Sequence, residues 1–176
     1  MTIHMKTSIP KEVKAIIEHF QMESHPEGGF SKLLFEDSEM ISESCLPDSY
    51  CSSRPYWNAI YYLLPKGSIS ILHRLHMDEM WNHYMGGSLD LFDLSLEEGL
   101  KKIVLGKNIF DGQLLSYVIP KGHWIAAKPS TGSPYCLVSC VTCPGFTFSD
   151  WEKGERKQLL KLYPDLKDLI IEFTCA

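Results

Sequence analysis

Apolar residues recur along the middle of the chain in short runs, broken at close intervals by glycine and proline. The clearest run is WNAIYYLL at 57–64, aromatic and free of Gly and Pro, as a buried strand should be. Further runs follow at 68–72, 80–85, 88–94, 100–105, 114–119, 123–127 and 135–141. Turn signals punctuate them at Pro65-Lys66-Gly67, Gly86-Gly87, Glu98-Gly99, Asp111-Gly112 and Pro120-Lys121-Gly122. Short strands at such spacing predict an all-β sandwich or barrel. The two ends carry a different period. Val13, Ile16, Ile17 and Phe20 share one face of a helix over 10–20, with Ser8 as its N-cap. Leu159, Leu160 and Leu162 predict a helix over 155–163, which Pro164 interrupts before a last short element at 166–173. Residues 36–55 are polar and rich in turn formers, and read as a long loop or flap.

Composition adds mainly exclusions. A chain of 176 residues, 44% hydrophobic and 22% charged, fits one ordinary soluble domain over 1–176. No apolar run approaches the roughly 18 residues that would suggest a membrane span. The net charge of −5, with no basic block, argues against nucleic acid. Met1 to Lys14 has no apolar signal core, so a cytoplasmic protein is expected, with its six cysteines reduced. Cys140 and Cys143 form a CxxC, but on a strand they point to opposite faces, and no second pair completes a zinc site. Inert thiols are expected there.

The chemistry concentrates in GSISILHRLHMDEMWNHYMG at 67–86, which reads G-x5-H-x5-E-x6-G through His73, Glu79 and Gly86. This resembles the first motif of the cupin superfamily. HPEGGF at 25–30, AIYYLL at 59–64, HRLHMDEMW at 73–81, LG at 105–106, PKGHW at 120–124 and LVSCVTCPGFTFSDWE at 137–152 occur in an order similar to the DUF985, or cupin 5, subfamily. The resemblance spans about residues 10–173. It implies an all-β double-stranded β-helix, the cupin jelly roll. A helical segment at 10–20, a barrel at about 27–150 and a helical segment at 155–173 would form a single cupin domain.

The chain departs from the family pattern where a metal would bind. Leu75 stands where the second histidine of the first motif belongs, and Ile125 where the histidine of the second belongs. His73 and Glu79 alone remain of the usual ligand set, and two ligands hold a divalent ion poorly. No cofactor is therefore required. A divalent metal stays open as an alternative only if His83 and His123 join them, as the odd-numbered parity of these strands would allow.

The resemblance also implies a small polar metabolite, such as a carbohydrate, in the barrel. A sugar or keto-acid epimerase or isomerase would use His73 or His83 as base, Tyr61 or Tyr62 as acid, and Glu79 to orient the base. Trp81, His123, Trp124, Phe146 and Glu27 are candidate ligand-binding residues. The double glycine after Glu27 also fits a plain structural turn. Arg74 and Asp78 are candidates for a surface ion pair. Two other functions stay open: a non-catalytic metabolite-binding or sensor protein, and a metal-dependent oxygenase with a non-standard site. A homodimer is expected, paired through the N-terminal segment and the edge strand after it.

Overall fold

The computed structural model describes residues 10–175. In chain order the elements are α1 (Lys11–Phe20), β1 (Glu23–Ser24), β2 (Phe30–Glu36), β3 (Met40–Ile41), β4 (Arg54–Pro55), β5 (Asn58–Pro65) and β6 (Ser70–Leu75). They continue with β7 (Asp78–Gly86), β8 (Leu89–Ser95), β9 (Gly99–Leu105), β10 (Ser116–Ile119), β11 (Trp124–Pro129), β12 (Tyr135–Cys143) and β13 (Trp151–Lys153). Two short helices close the chain, α2 (Arg156–Leu162) and α3 (Lys167–Phe173). The predicted N-cap Ser8 lies outside the described residues. Among the described residues no helix is long and apolar enough to cross a membrane.

Two antiparallel sheets face each other, in the orders β1-β2-β5-β12-β7-β10 and β13-β6-β11-β8-β9. This is the predicted jelly roll. Strand alternation divides the apolar residues into three clusters. Tyr62, Leu64, Leu75, Trp81, Leu89, Leu91, Ile125, Cys136, Val138 and Cys140 fill the space between the sheets. Leu72, Phe92, Leu94, Trp124 and Ala126 point the other way from the second sheet, and α2 and α3 cover them with Leu159, Ile170 and Phe173. Helix α1 lays Val13 and Ile16 over Leu63, Tyr135 and Leu137 on the outside of the first sheet. The terminal helices therefore cover part of each outer face and leave the interior to the strands.

Residues 36–55 are more ordered than a flap. They form β3 and β4, paired with each other, and a 3-10 turn at Glu43–Cys45. What ties the segment down is Arg54, fully buried, whose Nε and Nη2 donate to Asp150 at 2.8 and 2.6 Å. Tyr50 adds its hydroxyl to the His76 carbonyl at 3.0 Å. The proposed Arg74–Asp78 pair does not form. Arg74 bonds Glu152 at 2.8 Å and lies over the Trp124 ring, while Asp78 accepts the Lys121 N–H. Cys140 is buried and Cys143 exposed, as alternation required.

Candidate active site

Between the sheets, on the β2 side, lies a cavity of about 430 Å³. Its deep end holds Glu27, Tyr62, Glu79 and Cys140, all buried. Ile60, Leu75 and Phe146 form apolar walls, and exposed Leu33, Glu36 and Phe148 form the mouth.

Glu27 reaches the cavity because of the two glycines behind it. Gly28 has φ +115° and packs so closely that a Cβ there would sit 2.1 Å from the Ile69 carbonyl oxygen. The turn closes with the Gly28 N–H on the His25 carbonyl and the His25 N–H on that of Gly29, at 3.0 and 3.1 Å. The segment is thus both a structural turn and a wall of the cavity. Strand β2 then turns Glu36 inward through a β-bulge. Ser31 opposes Tyr62 and Leu33 opposes Ile60, but the register slips between Leu33 and Phe35. The extra residue sends Phe35 outward onto Trp57, with ring centroids 4.3 Å apart, and leaves Glu36 at the mouth.

His73 is 1% exposed and stands behind Glu27 rather than in the cavity wall. Its Nδ1 is 2.7 Å from the Ile71 carbonyl oxygen. A carbonyl only accepts, so Nδ1 carries the proton and Nε2 presents a lone pair. That nitrogen is 3.4 Å from Glu27 Oε1. Burial holds the His73 pKa below the ordinary histidine value, against the opposing pull of Glu79 and the Ile71 carbonyl. His25 is likewise lowered, chiefly by burial.

The two carboxyls move the other way. Burial pushes Glu27 up to about 7, against His25, Ser70 and the indole of Trp151. Burial pushes Glu79 to about 7 as well, with the negative charge of Glu27 adding to it and His73, Trp81 and Cys140 opposing. Trp81 Nε1 donates to Glu79 Oε2 at 2.8 Å, so Trp81 positions Glu79 from behind the cavity wall. Tyr62 lines the cavity, but its hydroxyl donates to the Gly28 carbonyl at 2.8 Å and its pKa is raised well above the usual tyrosine value, chiefly by burial. A proton so held makes a poor general acid.

Four expected site residues lie elsewhere. Tyr61 points to the outer face, against Phe20 and Tyr84. Trp124 belongs to the helix-covered outer cluster, since Ile125 is the residue of that pair that faces in. His83 faces inward but four residues beyond Glu79, about 13 Å along the strand, where its Nε2 bonds the Gly87 carbonyl at 2.9 Å. The pleat does not extend back to His123, which precedes β11 in a turn through Gly122 at φ +80°. It bonds buried Asp93 at 2.6 Å, and Tyr117 donates to the same carboxylate at 2.9 Å. His73, Glu79, Trp81, Glu27, Tyr62 and Phe146 are the expected residues that do gather at or behind the cavity.

This donor set does not fit a divalent metal. Leu75 and Ile125 place hydrocarbon at two ligand positions, and Ile125 sits directly opposite His73 in the β6–β11 pairing. No group of three His, Cys, Asp or Glu side chains converges in metal-binding geometry among the described residues. His83 and His123, which were to complete the set, bond the Gly87 carbonyl and Asp93 instead.

Solved structures with this fold include a Shewanella oneidensis protein, 31% identical, with a TM-score of 0.82 over 92% of this chain and 96% of that one. A hypothetical protein from Leishmania major is 27% identical, with a TM-score of 0.83 over 93% and 98% of the two chains. A cupin 2 conserved barrel domain protein from Rhodopseudomonas palustris, 14% identical, shares the fold at a TM-score of 0.56 over 87% of each chain. None of the curated proteins searched matches the sequence. The family model described as cupin superfamily (DUF985) matches residues 14–154, and with the jelly roll and the His73/Glu79 motif this places the chain in that family.

Proposed function

We propose that the protein binds a small metabolite in this cavity and moves a proton on it, as an isomerase or epimerase does. The observation that carries this reading is the pair of buried carboxyls, Glu27 and Glu79, both facing one cavity with pKa values near 7. A carboxyl titrating near neutral pH can both give and take a proton there. Glu27 and Glu79 are the proton carriers, because they face the ligand space. His73 is a positioning residue: its Nε2, 3.4 Å from Glu27 Oε1, backs that carboxyl from outside the cavity wall. The expected roles of His73 as base and Glu79 as its orienting group are thereby exchanged for this arrangement.

Proton transfer is tested by screening small metabolites, sugars and amino compounds among them, for thermal stabilisation, then recording proton NMR spectra of each stabilising compound with the protein in D2O. The expected result is loss of one C–H signal of a bound compound, abolished in both Glu27→Gln and Glu79→Gln. Compounds that bind without exchange would instead support the second reading, a binding or sensor protein. The hydrogen bond that ties up the Tyr62 hydroxyl favours that alternative.

A further inference from the structure

The cavity has an unusual charge composition for a metabolite site. Three of its lining residues are carboxylic acids, Glu27, Glu36 and Glu79, and none is lysine or arginine. Arg54 and Arg74 are committed elsewhere. Arg54 is locked on Asp150 and the Ser52 and Ser53 carbonyls, and Arg74 is paired with Glu152 over Trp124. Burial lowers the pKa of the cavity histidine, His25, which disfavours its cationic form. An anionic ligand would therefore find no lysine or arginine in the lining to offset its desolvation, and would meet like charge wherever one of the acids is ionised. Carboxylates, phosphates and nucleotide sugars are disfavoured on this ground.

An uncharged polyol fits little better. Each of its hydroxyls needs a partner on burial, yet much of the wall is Leu33, Ile60, Leu75, Phe146 and Phe148. The deep polar end and the apolar body of the cavity call for a ligand with the same division. We infer that the cavity takes a small organic ammonium ion, its charged nitrogen between Glu27 and Glu79 and its apolar body against Ile60, Leu75 and Phe146. This rests on the reading of the cavity as a ligand site and names the chemical class that site accepts. The rings of Tyr62, Phe146 and Phe148 add a π-electron surface that favours a cation over a neutral molecule.

The carboxyls report the binding. Glu27 is faced by His25 on its own turn, Tyr62 of β5, Ser70 and His73 of β6, Glu79 of β7 and Trp151 of β13. Glu79 is faced by His73, Glu27, Trp81 and Cys140. A neutral side chain at either position would therefore remove a charged partner of the nitrogen.

The test is a charge series on one molecular body: benzylamine, benzyl alcohol and benzoate, titrated calorimetrically into the unaltered protein and into Glu79→Gln. Benzylamine should bind best, and Glu79→Gln should remove most of its affinity. Equal or better binding of benzoate or benzyl alcohol overturns the inference and leaves the cavity standing as a ligand site. Benzylamine binding that is unchanged in Glu79→Gln overturns it too, since the carboxyl would then not hold the nitrogen. No binding by any of the three at 10 mM overturns it and counts against the cavity itself. Failure of the proton-transfer reading shows separately, as a compound that binds without exchanging its C–H.

Discussion

Glu79 illustrates how one residue can serve the site at the expense of the fold. The folded protein holds a proton on this carboxyl between about pH 4.5 and about 7, a range in which the unfolded chain has lost it. The cost of burying the ionised form is thus fully present above about 7 and fades as the pH falls toward 4.5. Glu79→Gln keeps the shape and can still accept the Trp81 N–H, so it should be more stable than the parent at pH 8, by on the order of 2 kcal/mol. At pH 5 the two should be nearly equal. Urea unfolding at both pH values measures this, and equal stability at pH 8 would show that Glu79 is not held near 7. Gly28 is the converse case, a residue that serves the fold so that its neighbour can serve the site. At φ +115° and with the Ile69 carbonyl 2.1 Å from the position of a Cβ, Gly28→Ala should cost on the order of 2–4 kcal/mol. A smaller loss than about 1 kcal/mol by the same unfolding assay would contradict that account of the turn.

Among the elements, the segment 36–55 depends most on a single contact. Beyond the end of β2 its own strands are the two-residue β3 and β4, and Arg54 anchors it on Asp150 across 96 positions of sequence. Removing one partner leaves the other charge buried alone, so Arg54→Ala should lower stability by about 3–5 kcal/mol in denaturant unfolding. Burial alone would raise the Asp150 pKa, but its bonds to Arg54 and Thr147 outweigh that and hold it below the ordinary aspartate value. This contribution is present above the ordinary aspartate range and is lost as the pH falls through the lowered value. The elements also show what the sequence could disclose. The eight central strands were legible from apolar runs and turn residues, because alternation and Gly/Pro punctuation are local. Strand β2 was not, since FSKLLFE lacks clean alternation and its bulge is set by pairing with β5. Parity carried His73, Glu79 and Trp81 to the interior correctly. It failed for His123, because a turn stands between that residue and the strand whose period was extended to it. Glu36 was missed for the same reason that β2 was, and Arg54 because a buried arginine is visible only through its partner.

At the scale of the whole molecule, the terminal helices cover one face each of the two sheets, but part of the first sheet's outer surface stays bare. Met80, Tyr84 and Val118 are 38%, 48% and 47% exposed on neighbouring strands β7 and β10. An apolar sheet face of this kind suits a second copy of the chain. Sedimentation equilibrium should accordingly give about twice the 20.1 kDa chain mass, and a value near 20 kDa would contradict a dimer. The same fold that carries the barrel has put leucine and isoleucine at two ligand positions, so protein purified without chelator should carry less than about 0.1 divalent ion per chain. Elemental analysis showing one ion per chain would contradict the assignment of the site to carboxyl chemistry. That assignment depends on two glutamates that titrate far above their ordinary range, which can be observed directly. Carbon-13 NMR titration of the glutamate side-chain carboxyls, with Glu27→Gln and Glu79→Gln used to assign the signals, should show two midpoints near 7. If every glutamate carboxyl instead titrates between about 4 and 5, the ordinary range, the cavity holds no neutral-pH proton carriers and the proposed function fails.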